Sequence, residues 1–166
     1  GNTEIPDDLK VHEPQRVALY KGAAVLVRAY ANIADDLQTA GYAVDDVGTM
    51  SEESVDYPDF AAGAAQRVAA GKGDLGIVVC GTGIGVSIAA NKVAGIRAAL
   101  AGDPATAHLA REHNDANVLA LAGRALSDEQ AMQIVHEFVS TPFAGGRHQR
   151  RIEKIAQLDQ AREQKK

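Results

Sequence analysis

Residues 77–92 read IVVCGTGIGVSIAANK, and this stretch decides the fold. A short β-branched run that ends in glycines is typical of a central parallel strand. Residues 86–92 continue as a helix, whose first amides and positive dipole end face the glycine loop. Unpaired N–H groups at such a turn suit an oxyanion or a phosphate. The sequence therefore predicts an anion site on the turn that holds Cys80, the only cysteine of the chain.

The composition narrows the functional classes. The chain has 166 residues, 46% of them hydrophobic, which is enough for one domain with a sizeable core. Its net charge of -5 argues against general binding to nucleic acid or to a membrane surface, because both need a basic face. No apolar stretch approaches about 20 residues, and no signal-peptide pattern opens the chain. Since one cysteine cannot form an internal disulfide, we expect a reducing, cytoplasmic location.

Strands and helices alternate along the chain from residue 16. Residues 1–15 lack a sustained period and are expected to form a flexible N-terminal arm, while residues 16–166 form one domain. The pattern predicts strands at 17–20, 43–47, 75–80, 96–100 and 117–121, and helices at 25–40, 58–70, 86–92 and 104–113, followed by two more that begin near Ser127 and Arg147. We predict an α/β fold: a single-domain three-layer α/β/α sandwich with a five-stranded parallel, Rossmann-like sheet.

The last two helices carry clear local signals. Ser127 and Gln130 have the spacing of a capping box, in which each side chain bonds to the other residue's backbone. The apolar spacing predicts a buried face on the first of these helices and a single stripe on the second; the residues concerned are Ala131, Ile134, Val135 and Phe138, and then Ile152, Ile155 and Leu158.

Ligands in such folds bind at the carboxyl ends of the strands, where the loop after Cys80 falls.

A dinucleotide site is one reading of the glycine loop. Gly81 and Gly83 follow a strand, and Asp103 lies twenty residues further on, where a ribose-binding acid would stand. The third glycine of the G-x-G-x-x-G pattern would fall at Val86 or at Ile88, and neither permits the close packing that the pattern needs. The sequence therefore disfavours a nicotinamide or flavin site.

Cys80 has two interpretations. Judged by residue type, a single cysteine at the end of an apolar strand is a buried, inert thiol. Beside the amides of a helix N-terminus, however, the thiolate is stabilised and the group can act as a base or a nucleophile, with Thr82 able to donate or relay a proton. No Cys-x-x-Cys pair or cysteine-histidine cluster is present in the sequence, so nothing predicts a zinc site.

Basic residues crowd the start of the last helix, where residues 145–151 read GGRHQRR. The helix dipole disfavours cations at that end, and a bound phosphate would resolve the conflict. The alternative is a solvated basic turn that pairs with Glu153 or with a neighbouring chain. His113 closes an earlier helix and on type alone is a dipole-stabilised surface histidine. Tyr57 on type alone is a packing residue.

Four segments, taken in order, resemble the ribose-5-phosphate isomerase B family, which also includes the galactose-6-phosphate isomerase subunits. They are SVDYP at 54–58, CGTGIG at 80–85 continuing through NK at 91–92 and GIR at 95–97, REHNDANV at 111–118, and GGRHQ at 145–149. The resemblance covers roughly residues 44–155. Four separated motifs in the right order are more specific than any one of them.

The resemblance implies an aldose-ketose isomerase for sugar phosphates that works through a cis-enediolate and uses no metal or cofactor. Cys80 corresponds to the family's base, which moves a proton between C1 and C2, and Thr82 corresponds to its hydroxyl helper. The amides around Gly81, Gly83 and Gly85 hold the enediolate oxygen. A base near its working pH and preorganised donors on the oxyanion are also what this chemistry requires.

The resemblance further assigns residues to ring opening and to the phosphate. His113 is similar to the group that opens the sugar ring, and Asn114 and Tyr57 line the pocket. The family's phosphate ligands match Arg124, Arg147 and Arg151. The family's site is shared between two subunits, which implies a homodimer or tetramer in which the C-terminal helix packs on a partner subunit.

The chain departs from the family directly after the first strand. There the family places Gly-x-Asp-His-Ala-Gly, whereas residues 20–25 of this chain read YKGAAV. The acid that assists ring opening and the imidazole that contacts phosphate are both replaced around Gly22, Ala23 and Ala24. Lys21 offers a charge from a slightly different position.

Three interpretations of this departure stay open. In the first, the chain still isomerises ribose 5-phosphate: His113 alone opens the ring, and Lys21 replaces the lost phosphate contact. Alternatively, the substrate is a tetrose 4-phosphate, which cannot close a furanose ring because its O4 is esterified. In the third, the chain is a catalytically weak binding or structural subunit. Because Cys80, Thr82 and His113 remain with the arginines, an active isomerase is favoured, with ribose 5-phosphate and ribulose 5-phosphate as the leading substrate pair.

Overall fold

A computed structural model describes residues 15–20, 32–48 and 56–165, and its five strands form one sheet in which every pair is parallel. The strands are β1 (Arg16–Tyr20), β2 (Ala43–Asp46), β3 (Leu75–Cys80), β4 (Ala98–Leu100) and β5 (Val118–Ala122). Their spatial order is β2-β1-β3-β5-β4. The all-apolar run of β3 lies at the centre, because a strand buried on both faces cannot carry polar residues.

Six helices are described: α1 (Asn32–Thr39), α2 (Tyr57–Ala69), α3 (Ile84–Asn91), α4 (Pro104–Asn114), α5 (Asp128–Ser140) and α6 (Arg147–Glu163). Helices α1, α4 and α5 bury side chains against one face of the sheet. Helices α2 and α3 bury theirs against the other face, where alanines allow close approach. The three-layer sandwich predicted from the alternating pattern is therefore confirmed.

Predicted and observed element ends agree closely. The bounds of β3 match the prediction, and the predicted box between Ser127 and Gln130 caps α5, with both reciprocal bonds present. Helix α3 begins at Ile84, two residues earlier than predicted, because Gly83 adopts a left-handed conformation that ends the loop at once. The predicted helix at 25–40 is described only from residue 32, and residues 1–14 of the predicted arm and residues 21–25 lie outside the described residues.

The apolar stripe predicted on α6 is only partly buried against the rest of the same chain. Ile152 is buried, whereas Ile155 and Leu158 are 42% and 64% exposed. The helix is tied to the rest of the molecule near its end by the backbone N–H of Gly95, which donates to Asp159 Oδ2 at 2.8 Å. None of the described helices is both long and apolar enough to cross a bilayer.

Candidate active site

The turn between β3 and α3 presents backbone donors at the carboxyl edge of the sheet. Gly83 has φ +74°, a conformation that side chains with a Cβ rarely adopt, and it lets the helix begin at the next residue. The N–H of Ile84 donates to Thr82 Oγ1 at 3.3 Å. The other amides of the first turn lack partners within their own helix, as at any helix N-terminus, and the dipole adds partial positive charge there. Helix-terminal amides are thus present on the turn where the sequence predicts an anion site, and that site stays a prediction.

Gly83 is also required by packing. A Cβ built at this position would lie 2.5 Å from Leu100 Cδ1 and 2.9 Å from the backbone carbonyl carbon of Leu121. The loop therefore lies directly against β5, and no side chain fits between them.

We expect Gly83→Ala to lower the free energy of unfolding by about 3 kcal/mol, since backbone strain and overpacking act together. Gly95→Ala is the matched control, because Gly95 also has positive φ, +85°, but nothing lies within 4 Å of its added Cβ. That variant should lose only about 1 kcal/mol. Urea denaturation measures both; equal losses would mean that contact with β5 is unimportant.

Cys80 ends β3 as a free, partly exposed thiol. Its side chain packs at the edge of the core on the α2 and α3 face of the sheet. Cys80 is thus not fully buried in the apolar core, the environment in which a thiol is inert.

Arg124 lies beside this turn, in the segment that follows β5. Beyond the end of β5, the N–H of Gly123 donates to the carbonyl of Cys80 at 2.8 Å and that of Arg124 donates to the carbonyl of Gly81 at 3.0 Å. A Cβ at Gly81 would lie 3.1 Å from three atoms of the Arg124 guanidinium group. The cation therefore rests on the open face of a glycine next to the thiol.

Tyr57 borders the loop from the other side. It is the first residue of α2, and its side chain is 41% exposed. A Cβ at Gly85 would collide with the hydroxyl group and the ring of Tyr57, so the ring covers that glycine. We call the residues gathered at this edge the loop group; its members are Tyr57, Cys80, Gly81, Thr82, Gly83, Gly85 and Arg124.

The remaining predicted site residues form a second cluster. His113 and Asn114 end α4, and Arg147 and Arg151 lie one turn apart at the start of α6. The two helix ends are joined where the His148 ring stacks on His113, with centroids 4.3 Å apart and planes within 15°. We call His113, Asn114, Arg147, His148 and Arg151 the basic group. His148 was not assigned to the site from sequence, although its place in the motif at 145–149 was the available signal.

The backbone around His113 is fixed by two arginines that do not belong to the site. Asp115 has φ +45°, and its carboxylate accepts from Arg111 Nη1 at 2.9 Å. Its carbonyl accepts from Arg97 Nη2 at 2.8 Å. Arg111 and Asp115, two charged residues of the segment 111–118, thus shape the turn that follows His113.

The basic group is crowded with positive charge. Desolvation, followed by the charges of His113, Arg147 and Arg151, lowers the pKa of His148. Among the described residues, no carboxylate lies within ion-pairing distance of either arginine. Glu153, the partner considered from sequence, accepts instead from Gln149 Nε2 at 3.1 Å. A bound anion would relieve this crowding.

The two groups lie at opposite edges of the sheet. Helix α4 starts at the carboxyl edge and runs back to the amino edge, where the carbonyl of Asn117 accepts from the N–H of Gly76. Cys80 pairs with Ala122 at the other end of the same two strands. Six residues of β3 separate the edges by about 20 Å. Within one chain, a small ligand cannot touch both groups.

Asp103, the acidic residue that a dinucleotide site would need, has a different role in the structure. The Asp103 carboxylate caps α4 by accepting from the N–H of Thr106 at 2.7 Å, and this bond lowers its pKa. Because the carboxylate is committed to the helix cap, it is not free to bind a ribose.

Residues 25–155 match the family model described as Ribose/Galactose Isomerase. The chain belongs to the ribose/galactose isomerase family. Ribose-5-phosphate isomerase B of Escherichia coli K12 is 49% identical to this isomerase over 122 residues, which cover 74% of this chain and 82% of that protein. The membership predicted from four motifs is confirmed, and with it the chain's place among isomerase enzymes.

Solved structures agree with the fold of this isomerase. Ribose-5-phosphate isomerase B of Clostridium thermocellum superposes with a TM-score of 0.82 at 46% identity, covering 89% of this chain and 99% of that one. The enzyme of Mycoplasma genitalium, solved with bound ribulose-5-phosphate, gives a TM-score of 0.84 at 40% identity, with coverage of 90% and 99%. The isomerase therefore has the architecture of these enzymes over most of its length.

Proposed function

We propose that this isomerase interconverts a phosphorylated aldose and its ketose, with ribose 5-phosphate and ribulose 5-phosphate as the favoured pair. The observation that carries the proposal is the loop group, in which a thiol, helix-terminal amides and a guanidinium group meet at one edge of the sheet. The printed names of the relatives support the same substrate class, since they are ribose-5-phosphate isomerases.

Cys80 acts as the base in this proposal. Its thiolate takes the proton from C2 of the open-chain aldose, the C1 carbonyl oxygen receives the electron pair, and a cis-enediolate forms. Return of the proton to C1, with loss of the O2 proton, leaves the ketose. Thr82 relays protons between the two oxygens. The position of Cys80 at the end of β3 and its partial exposure support this role.

The loop amides stabilise the enediolate. Charge develops on the substrate oxygen as the proton leaves, and preorganised N–H groups at a helix N-terminus oppose that charge without reorganisation. Each such donor contributes on the order of 3 kcal/mol to the transition state. Gly81 and Gly85 are partly exposed, whereas Gly83 is buried against β5, and the Tyr57 ring covers Gly85.

The phosphate end of the substrate lies among the arginines. Arg124 belongs to the loop group, whereas Arg147 and Arg151 belong to the basic group, as does His113, the proposed ring-opening residue. Because these groups lie at opposite edges of one chain, a complete site needs the loop group of one subunit and the basic group of another. We therefore propose a homodimer, which can pair into a tetramer, with α6 packing on the partner. The exposed Ile155 and Leu158 on that helix support this arrangement.

A tetrose 4-phosphate is the second candidate substrate. It is favoured by one observation, the sequence YKGAAV at residues 20–25, in which no acid stands ready to open a sugar ring. Such a substrate has no ring to open. A weak binding subunit is the remaining alternative.

Deuterium exchange distinguishes these candidates. The isomerase is incubated in D2O with ribose 5-phosphate, with erythrose 4-phosphate, and with unphosphorylated ribose as control, and NMR follows the C2 proton. We expect exchange in ribose 5-phosphate and almost none in ribose, because the arginines hold the phosphate. Exchange in erythrose 4-phosphate alone identifies the tetrose. The absence of exchange in every sugar would overturn the catalytic proposal.

A further inference from the structure

Tyr20 is a buried titratable residue that the proposed reaction does not use. It ends β1, is 1% exposed, and is among the largest fully buried side chains of the described residues. Its ring stacks on Phe60 of α2, with centroids 5.4 Å apart and planes within 16°. A buried tyrosine keeps a polar hydroxyl at the tip of an apolar ring, and such a hydroxyl usually finds a hydrogen-bond partner.

The strand register places Tyr20 beside Cys80. Tyr20 pairs with Val78 across the parallel strands, and Cys80 follows two residues later, so all three side chains point to the same face of the sheet. Tyr20 and Val78 belong to one core cluster, and Cys80 packs against it. Neighbouring strands lie about 4.8 Å apart and two residues advance about 6.6 Å along a strand, so the Cα atoms of Tyr20 and Cys80 are about 8 Å apart, within reach of an aromatic side chain.

The electrostatics of the pair fit a neutral phenol next to a thiolate. Burial raises the pKa of Tyr20, and the negative charge of Cys80 raises it further. The phenol therefore keeps its proton over the pH range in which a thiol ionises, and an O–H group can donate to sulfur. No hydrogen bond joins these two described side chains, and Cys80 acts on Tyr20 through its charge alone. A neutral thiol is a weak acceptor, and the attraction arises once the sulfur is charged.

We propose that Tyr20 is a positioning residue for Cys80 whose O–H dipole stabilises the thiolate. The inference rests on the proposed role of Cys80 as the base. The other described groups that border the loop are the guanidinium of Arg124 at Gly81 and the phenol of Tyr57 at Gly85. Both stay in place when Tyr20 is changed, so the contribution of the Tyr20 hydroxyl can be isolated.

The test is the pH dependence of alkylation in Tyr20→Phe. Because the chain has one cysteine, the rate of iodoacetamide labelling followed by mass spectrometry reports on Cys80 alone. We expect the midpoint of the rate against pH to move up by about one pH unit, since a hydrogen bond to the charged form is lost. The ring and its stack on Phe60 remain. Tyr42→Phe is the matched control, because the Tyr42 hydroxyl donates to the carbonyl of Val139 at 3.5 Å, on the other face of the sheet.

An unchanged midpoint in Tyr20→Phe overturns the proposal and leaves Tyr20 as a packing residue. Should that variant fail to fold, the wild-type isomerase labelled with 13Cζ-tyrosine provides the second measurement. The Tyr20 resonance should shift with the midpoint seen in alkylation, and a resonance that stays constant there contradicts the inference. Neither measurement needs substrate, so a failure of the proposed reaction is seen separately in the D2O experiment.

Discussion

Cys80→Ala is expected to lower kcat about 10³-fold, within the range for loss of a general base. This corresponds to about 4 kcal/mol of transition-state stabilisation. The physical reason is that alanine cannot accept the C2 proton, whereas the loop amides and the arginines still bind the substrate. KM should therefore change little. Turnover of the phosphorylated sugar, followed by NMR at saturating concentration, measures the effect.

The control is that Cys80→Ala keeps the fold of the wild type. Cys80 packs only at the edge of the core, so the far-ultraviolet circular dichroism spectrum should match that of the wild type. Cys80→Ser tests the chemistry further, because it keeps a similar shape but replaces the thiol with a much weaker acid. We expect serine to rescue little activity. Turnover in Cys80→Ala equal to that of the wild type would remove the thiol from the mechanism.

Activity is expected to return when two inactive variants share a dimer. Cys80→Ala damages the loop group, and the double variant Arg147→Ala/Arg151→Ala damages the basic group. If each site combines the loop group of one subunit with the basic group of the other, a mixed dimer contains one intact site and one doubly damaged site. Co-expression with two affinity tags and sequential purification isolates that dimer. Its activity should be about half that of the wild type, several hundred times that of the Cys80→Ala dimer.

Matched variants make the complementation specific. A mixed dimer of Cys80→Ala with Thr82→Ala should stay inactive, because both changes fall in the loop group and neither site is intact. Arg162→Ala removes the same charge near the far end of α6, about 22 Å from Arg147 along the axis, and should not impair turnover. A mixed dimer without recovered activity would contradict the shared site while leaving Cys80 as base untouched.

The sequence predicted the framework well because its signals are local. The apolar run of β3 and the capping box of Ser127 depend only on residues a few positions apart, and both were confirmed. The four motifs likewise led to the correct family. The start of α3 was misplaced by two residues, since sequence periodicity does not reveal that Gly83 adopts positive φ.

The arrangement of the site depended on contacts that sequence patterns do not encode. The three arginines assigned to phosphate belong to two groups at opposite edges, which follows from the direction in which α4 crosses the sheet. The stack between His113 and His148 and the position of Tyr57 over Gly85 depend on how separate helices pack. The sequence pattern predicts only that Tyr20 lies in a strand, and the register with β3 is what places it next to Cys80.

The ladder between β3 and β5 continues past the ends of both strands, through the bonds from Gly123 to Cys80 and from Arg124 to Gly81. Main-chain hydrogen bonds thus fix the backbone positions of Cys80 and Arg124 relative to each other. Side chains at these positions can be exchanged without moving the frame that carries them. In such a scaffold the main chain sets the positions of the functional groups, and the side chains supply the chemistry. New reactivity can therefore be introduced by replacing one functional group at a time.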